Sequence, residues 1–307
     1  LQAINNDPGR IASRQFEWLL LGRDFPSVRL TTRAEIEAVT PEQIRSLHAR
    51  FVRPENAILG VSGDFDRETM LALLDRLFAD WPVTGPYEPP VADVWTPQPR
   101  PGLYVLRGDY GQSQVRVGRI VEGLTDDSPE FAASQILSYA LGYGRIFYRT
   151  REEGLTYGSA ITLSVGPERA TLNGGGPCRG DATVPLLRAM FEECRRLEQD
   201  PIAGDGLEAA RTYFIGSEVR ASETAAAIVA TKVADALRGR PDDFRERLLE
   251  RYQQTTSEDV DRLARAHVTV PDPWIVLVLG NPDAFVTPLD SLGLGPATEV
   301  PPVVFGE

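Results

Sequence analysis

This sequence predicts an α+β fold in which two copies of one domain follow each other and the first copy is truncated. Three observations support that prediction. The first is an internal repeat. Leu20-Leu21-Gly22-Arg23 recurs as Leu237-Arg238-Gly239-Arg240 at an offset of 217, and Thr40-Pro41-Glu42-Gln43-Ile44 recurs as Thr256-Ser257-Glu258-Asp259-Val260 at 216. Pro54, Ile58, Val61, Gly63 and Asp66 match Pro271, Ile275, Val278, Gly280 and Asp283, again at 217. The second is the order of local patterns. Strand-like runs joined by tight turns lie beside clustered helical patterns, which favours a sheet backed by helices over a regularly alternating parallel sheet. The third is a break at 82–102 that holds seven prolines, a composition that makes a stiff, extended linker.

Solenoid repeats have periods of about 20–50 residues, so a far longer period means duplicated domains. If the second copy starts near Gly102, the first would start about 115 residues ahead of Leu1, since repeated units are whole domains. The expected organisation is the rear part of a first domain at 1–81, a linker at 82–102, a complete second domain at 103–286 and a proline-rich tail at 287–307.

The region ahead of the linker reads as helix, one strand, then helix. Thr40-Pro41-Glu42 has an N-cap residue followed by proline at the first helical position, and Ile44, Leu47 and Phe51 follow at helical spacing. The apolar run 57–61 ends in the turn Ser62-Gly63-Asp64, which predicts a buried strand. Asp66 is placed to cap a helix whose inner face is Met70, Leu73, Leu74, Leu77 and Phe78. Beyond the linker, strands are expected at 103–106 and through the alternating Val115, Val117 and Ile120. Helices follow at 131–141 and 145–153, then a hairpin from 157–165 and 170–172. Four helical patterns come next, near 182–199, 205–215, 222–238 and 257–267, ahead of an apolar strand at 274–279. Gly174-Gly175-Gly176 lacks the lysine and Ser/Thr of a phosphate-binding loop and reads as a turn. The tail, with Pro288, Pro296, Pro301 and Pro302, is expected to be surface-hugging or loose.

Composition narrows the function classes. At 307 residues and 42% hydrophobic the chain can bury a sizeable core. A net charge of −12 with no Lys/Arg-rich run argues against nucleic-acid binding, which depends on neutralising phosphates. The acidic balance permits a cationic peptide as ligand and also favours solubility. No apolar stretch approaches about 18 residues, so no membrane span is expected. Of the two cysteines, Cys194 falls on the stripe Leu187, Met190, Phe191 and reads as a small buried hydrophobe. Two cysteines make no disulfide framework, and a bridge between Cys178 and Cys194 stays open.

Gly142-Tyr143-Gly144-Arg145-Ile146-Phe147, followed by Arg151-Glu152-Glu153-Gly154-Leu155-Thr156-Tyr157, resembles the second-domain signature of pitrilysin/insulinase-type zinc peptidases. Asn6-Asp7-Pro8, Pro54-Glu55-Asn56 and Val61-Ser62-Gly63-Asp64-Phe65 resemble the rear half of that family's first domain. The likeness is greatest to the shorter bacterial and processing-peptidase branch, whose chains pair to enclose a chamber. It implies a zinc endopeptidase in which H-x-x-E-H on a helix of the first domain supplies two metal ligands and a general base. This chain has only His48 and His267, neither in such a motif. Both are read as structural, and Asp64 and Asp66 as turn and cap rather than a calcium loop. The third ligand would fall at or ahead of Leu1, so the chain alone is expected to hold no metal and to be inactive. Zinc is expected in the full-length enzyme or in a partner chain.

The resemblance also assigns the far side of the cleft. Arg151 and Tyr157 correspond to the arginine and tyrosine that hold substrate carbonyls and stabilise the tetrahedral oxyanion, with Gly154 and Leu155 as substrate-side residues. Here the pair is one position closer than is usual in the family. We place the deletion just before Gly154, which leaves the aim of Arg151 open and makes Arg149 the alternative. The plain readings are a surface ion pair for Arg151 and a half-buried aromatic for Tyr157. The expected function is the C-terminal portion of a pitrilysin-like zinc endopeptidase. Its expected partners are a peptide or unfolded polypeptide, plus a missing N-terminal segment or catalytic sister subunit, with a dimer as the assembly. The alternative is a non-catalytic subunit or scaffold that binds peptides or a catalytic sister chain. Exposed apolar residues along 57–61, or a partner covering them, would discriminate between the two. The residues do not name a compartment; the resemblance implies a soluble bacterial protein, periplasmic or cytoplasmic.

Overall fold

The computed structural model describes residues 5–81, 95–269 and 273–302. The chain forms two compact units, one made of 1–32, 95–214 and 251–307, the other of 33–94 and 215–250. Most of the proline-rich stretch, 82–94, lies outside the described residues.

The first unit is the α+β body that the sequence predicts. Its six-stranded mixed sheet is built from β1 (Gly102–Arg107), β2 (Ser113–Val121), β3 (Ala160–Val165), β4 (Ala170–Cys178), β5 (Ile275–Gly280) and β6 (Ala297–Glu299), in the spatial order β3-β4-β2-β5-β1-β6. β2 pairs antiparallel with β4 and β5, and β3 antiparallel with β4, while β1 runs parallel to β5 and β6. β5 is buried at all six positions, as a strand covered on both faces must be. One cover is helix α1 (Pro8–Leu21), capped by Asp7, whose carboxylate accepts from the Arg10 N–H at 2.9 Å. Its stripe of Ile11, Ala12, Phe16, Leu19 and Leu20 packs on Leu106, Ile275, Leu277 and Leu279. On the strands' other faces, α7 (Thr183–Arg196) packs on β2, and α5 (Phe131–Leu141) packs on β3 and on α11 (Ser257–His267).

Several expectations need correction here. The Gly174-Gly175-Gly176 run is strand rather than turn. It lies inside β4, and a Cβ on Gly174 or Gly175 would stand 2.0 Å from the carbonyl oxygen of Ala160 or Val115. Of the two readings of the tail, surface-hugging is the one seen at 297–299, which form β6 alongside β1 and are exposed at all three positions. A helix the periodicity did not reveal, α10 (Phe244–Gln254), lies between two that it did. Both cysteines are buried free thiols; burial raises their pKa, Cys178 to about 11 and Cys194 to about 12.

The second unit holds α2 (Arg33–Glu37), α3 (Pro41–Phe51), α4 (Arg67–Phe78), the end of α8 (Gly204–Arg220), α9 (Ala225–Leu237) and α10. Its charged centre is Asp235, with Arg245 Nε at 2.8 Å and Arg240 Nη1 at 3.2 Å. Its apolar residues are poorly covered. Ile44 and Leu47 on α3, and Leu71, Leu77 and Phe78 on α4, are exposed. Residues 57–61 are not the expected buried strand: they form no ladder, and Leu59 is 58% exposed. Extended backbone becomes a strand only beside another strand, and none lies beside 57–61 among the described residues. What does touch this segment is α9. A Cβ on Gly60 would meet Val229 Cγ1 at 2.4 Å and Val233 Cγ2 at 2.7 Å.

The repeat relates these contacts. Val229 and Val233 stand 217 positions after Ala12 and Phe16, and Leu277 stands 217 after Gly60. In one unit α1 lies on β5; in the other the helix matching α1 lies on the segment matching β5. Each helix therefore packs on the strand segment of the opposite repeat copy. Among the described residues no helix is long and apolar enough to cross a membrane.

Candidate functional site

The glycine-rich segment ahead of Arg151 is not a turn. The helical path from 131 to 152 continues through α5, a π-helical stretch at Gly142–Phe147 and α6 (Tyr148–Glu152). Such insertions recur at functional sites because they re-aim the side chains beyond them. Three arginines follow at 145, 149 and 151. Arg145 donates to the Asp200 carbonyl at 2.8 Å, and Arg149 pairs with Glu153, Glu192 and Glu193 at 2.8, 2.6 and 3.1 Å. The Glu153 hydrogen bond, outweighing the opposing effect of burial, raises the Arg149 pKa together with the other two carboxylates. This alternative candidate is thus a clamp between α6 and α7.

Arg151 is different. Two helical positions from Arg149, it points about 200° round the axis. It is exposed, 5.7 Å from the Phe147 ring centroid, with no carboxylate partner among the described residues. The surface ion pair of the plain reading has no counterpart among those residues.

Gly154 ends the helix. Its φ is +66°, its N–H donates to the Arg151 carbonyl at 3.0 Å, and the Leu155 N–H donates to the Thr150 carbonyl at 2.9 Å. This is a Schellman cap, which requires a left-handed residue at that position. The chain then turns back under three tethers. Thr156 Oγ1 donates to the Pro177 carbonyl at 2.6 Å, Arg179 Nη1 donates to the Gly154 carbonyl at 3.3 Å, and Thr150 and Ser159 hydroxyls share a bond of 3.0 Å. Tyr157 stands between the tethers and is 88% exposed, so it is no half-buried aromatic. Arg151 and Tyr157 make no contact with each other among the described residues. They present two unengaged donors from opposite ends of one anchored turn. Sequence reasoning missed Thr150, Thr156, Ser159 and Arg179, since nothing in their spacing marks which carbonyls they reach.

No group of three His, Cys, Asp or Glu among the described residues could hold a metal ion. His48 is exposed on α3 and His267 is half-buried on α11. The donors among the described residues do not fit a catalytic zinc.

Comparison with known proteins gives this geometry a family. The profile of the peptidase M16 inactive domain matches residues 38–214. An uncharacterized zinc protease of Mycobacterium leprae is 27% identical over 223 residues, 70% of this chain and 48% of its own length. One from Mycobacterium bovis is 24% identical over 270 residues, covering 85% and 60%. The chain thus spans about half to three fifths of these curated relatives. Among solved structures, the peptidase M16 inactive domain from Pseudomonas fluorescens superposes with a TM-score of 0.77 at 21% identity, over 91% of this chain and 67% of the other. The first half of the periplasmic protease PqqL from Escherichia coli gives 0.67 at 15%, over 95% and 67%. These two likenesses show the fold. The profile match covers more than half of the chain, which belongs to the peptidase M16 family through its inactive domain.

Proposed function

We propose that this chain is the C-terminal portion of a zinc-dependent M16 endopeptidase and supplies the side of the cleft opposite the metal. Arg151 and Tyr157 hold a substrate carbonyl and stabilise the oxyanion that forms when it is attacked, with Gly154 and Leu155 shaping the turn that presents them. A guanidinium and a phenol with no hydrogen-bond partner among the described residues give up only water on engaging a developing negative charge, which suits them as oxyanion donors. The metal and general base belong to a catalytic half in the same polypeptide or in a sister subunit, and peptides or unfolded polypeptides are the substrate class. A dimer enclosing the site is the assembly proposed.

The observation that carries this reading is the asymmetry between repeat-related faces. The segment matching β5 is exposed, as are the apolar stripes of α3 and α4, and a complementary sheet would cover them. That asymmetry favours the reading over a self-sufficient scaffold, whose apolar faces would be covered within the chain. The duplicated domains with their 82–102 junction belong to the same proposal. The test is chelator-sensitive peptide cleavage when the chain is joined to an M16 half bearing H-x-x-E-H. A fully assembled, zinc-loaded pair that cleaves nothing would remove the enzyme reading.

A further inference from the structure

α1 covers β2 and β5 but leaves the same sheet face open over β3 and β4, producing a trough of about 930 Å³ within the first unit. Its floor is set by register. Ala160 lies opposite Gly175 and Thr162 opposite Asn173, while Gly175 in turn lies opposite Arg116 on β2. With no side chain at Gly175, the guanidinium has an open neighbour. One wall is the α1 face of Ser13, Phe16, Glu17 and Leu20, continued by Phe25 and Val28.

Arg116 is the unusual member. It is half-buried, and its donors reach neutral acceptors only: Ser13 Oγ at 3.3 Å from both Nε and Nη2, and the Val115 carbonyl at 2.9 Å from Nη1. No carboxylate among the described residues lies within ion-pair distance of it. Two other partly buried arginines do have carboxylates, Arg149 three of them and Arg145 Asp200. Burial without a counter-charge lowers the Arg116 pKa, as desolvation of a cation should. The other charged groups of the trough are Glu17, beyond ion-pair reach of Arg116, and Arg169, stacked over Phe25 at 4.7 Å and paired with exposed Glu168. On a chain of net charge −12, the charged residues lining this trough are two arginines and one glutamate.

We infer that the trough binds the carboxylate of an extended peptide at Arg116, with apolar side chains of the same peptide against Phe16 and Phe25. The carboxylate is either the peptide's C-terminus or an acidic side chain. The inference rests on the peptide-handling role proposed above and adds a charge preference to it. Each guanidinium nitrogen already donates once, to Ser13 or to Val115, which leaves one N–H on each terminal nitrogen for a carboxylate, and a half-buried site strengthens that bond.

The experiment is titration of the chain with an N-acetylated hexapeptide ending in phenylalanine, as free acid and as carboxamide, plus an amidated version carrying an internal glutamate or glutamine. The free acid is expected to bind roughly 10-fold or more tighter than the carboxamide, as hydrogen bonds to charged groups allow. A matching preference for internal glutamate over glutamine would make the source a side chain, and its absence would make it the terminus. Arg116→Gln should abolish the preference and Arg116→Lys retain part of it. Equal affinity for charged and neutral peptides, or a preference that survives in Arg116→Gln, would overturn the inference while leaving peptide binding intact. If no peptide binds, the peptide-handling role fails, and N-acetylphenylalanine decides the inference separately. A saturable shift of the Arg116 Nε–H resonance, absent with the corresponding amide, supports the carboxylate site, and no shift overturns it. The same resonance serves if the Arg116 variants do not fold.

Discussion

Leu47 and Leu263 occupy matching positions of two repeat-related helices 216 residues apart, and Leu47 is 60% exposed where Leu263 is 4% exposed. The helices themselves are built alike. Each is eleven residues long and opens with a threonine capping box, Thr40 with Gln43 and Thr256 with Asp259. Local sequence thus specifies the same helix twice, and only the packing differs. A leucine left in water forgoes about 1.5–3 kcal/mol relative to full burial. Ile44, Leu47, Ile58 and Leu59 together therefore make the second unit a surface that favours a cover.

The clamp at Arg149 is separable from the free Arg151. Arg149→Ala should destabilise the first unit by about 2 kcal/mol or more, because it strips three carboxylates of their shared cation and leaves the buried Glu193 only the more distant Arg196, at 3.7 Å. Arg151→Ala should stay within about 0.5 kcal/mol, as surface changes do. Urea unfolding of both variants measures the difference; equal losses would mean that Arg151 is also structural.

Gly154→Ala tests the cap by itself. A Cβ there would meet nothing within 4 Å, so the change acts only through its left-handed φ and should cost about 1–2 kcal/mol. The same unfolding measurement reads it. A neutral result would show that the turn carrying Tyr157 relaxes without loss.

His267 gives the first unit a pH dependence. Burial, assisted by Arg119, lowers its pKa below the ordinary 6.5. The unfolded chain therefore takes up this proton first as the pH falls. Stability from this group is complete above pH 6.5 and declines on acidification toward the folded-state pKa. His267→Gln should flatten that part of the stability–pH curve, measured by denaturant unfolding from pH 8 to 5. An unchanged slope would assign the dependence to other groups.

Tyr157→Phe should leave stability unchanged, since the ring is almost fully exposed. In an assembled, zinc-loaded enzyme it should lower turnover by roughly 100-fold or more, as loss of an oxyanion donor does. Unchanged turnover would reduce Tyr157 to a surface residue.

Much of this was legible in the residues. Thr40, Thr256 and Asp66 identify their caps through local chemistry alone. The alternation of Val115, Val117 and Ile120 correctly predicted β2, and the α+β class followed from the order of elements. What stayed hidden depends on distant partners. The run 57–61 is apolar like β5 but has no strand beside it among the described residues. Gly174-Gly175-Gly176 looks like a turn until its neighbours' carbonyls are seen to require the absence of a Cβ. The π-helical stretch at Gly142–Phe147 keeps the chain helical where two glycines suggested a break. The trough at Arg116 left no trace in spacing, because Ser13 is 103 positions away from it.

Backbone hydrogen exchange at 57–61, with the chain alone and joined to an M16 half carrying H-x-x-E-H, reads out whether the exposed repeat face is covered in the working enzyme. Exchange at Ile58 and Leu59 is expected to be fast in the chain alone. On joining, strong protection is expected there and along α3, together with zinc-dependent cleavage that the chain alone lacks. Fast exchange that persists in a proteolytically active pair would contradict this, because the exposed repeat face would then have no part in completing the enzyme.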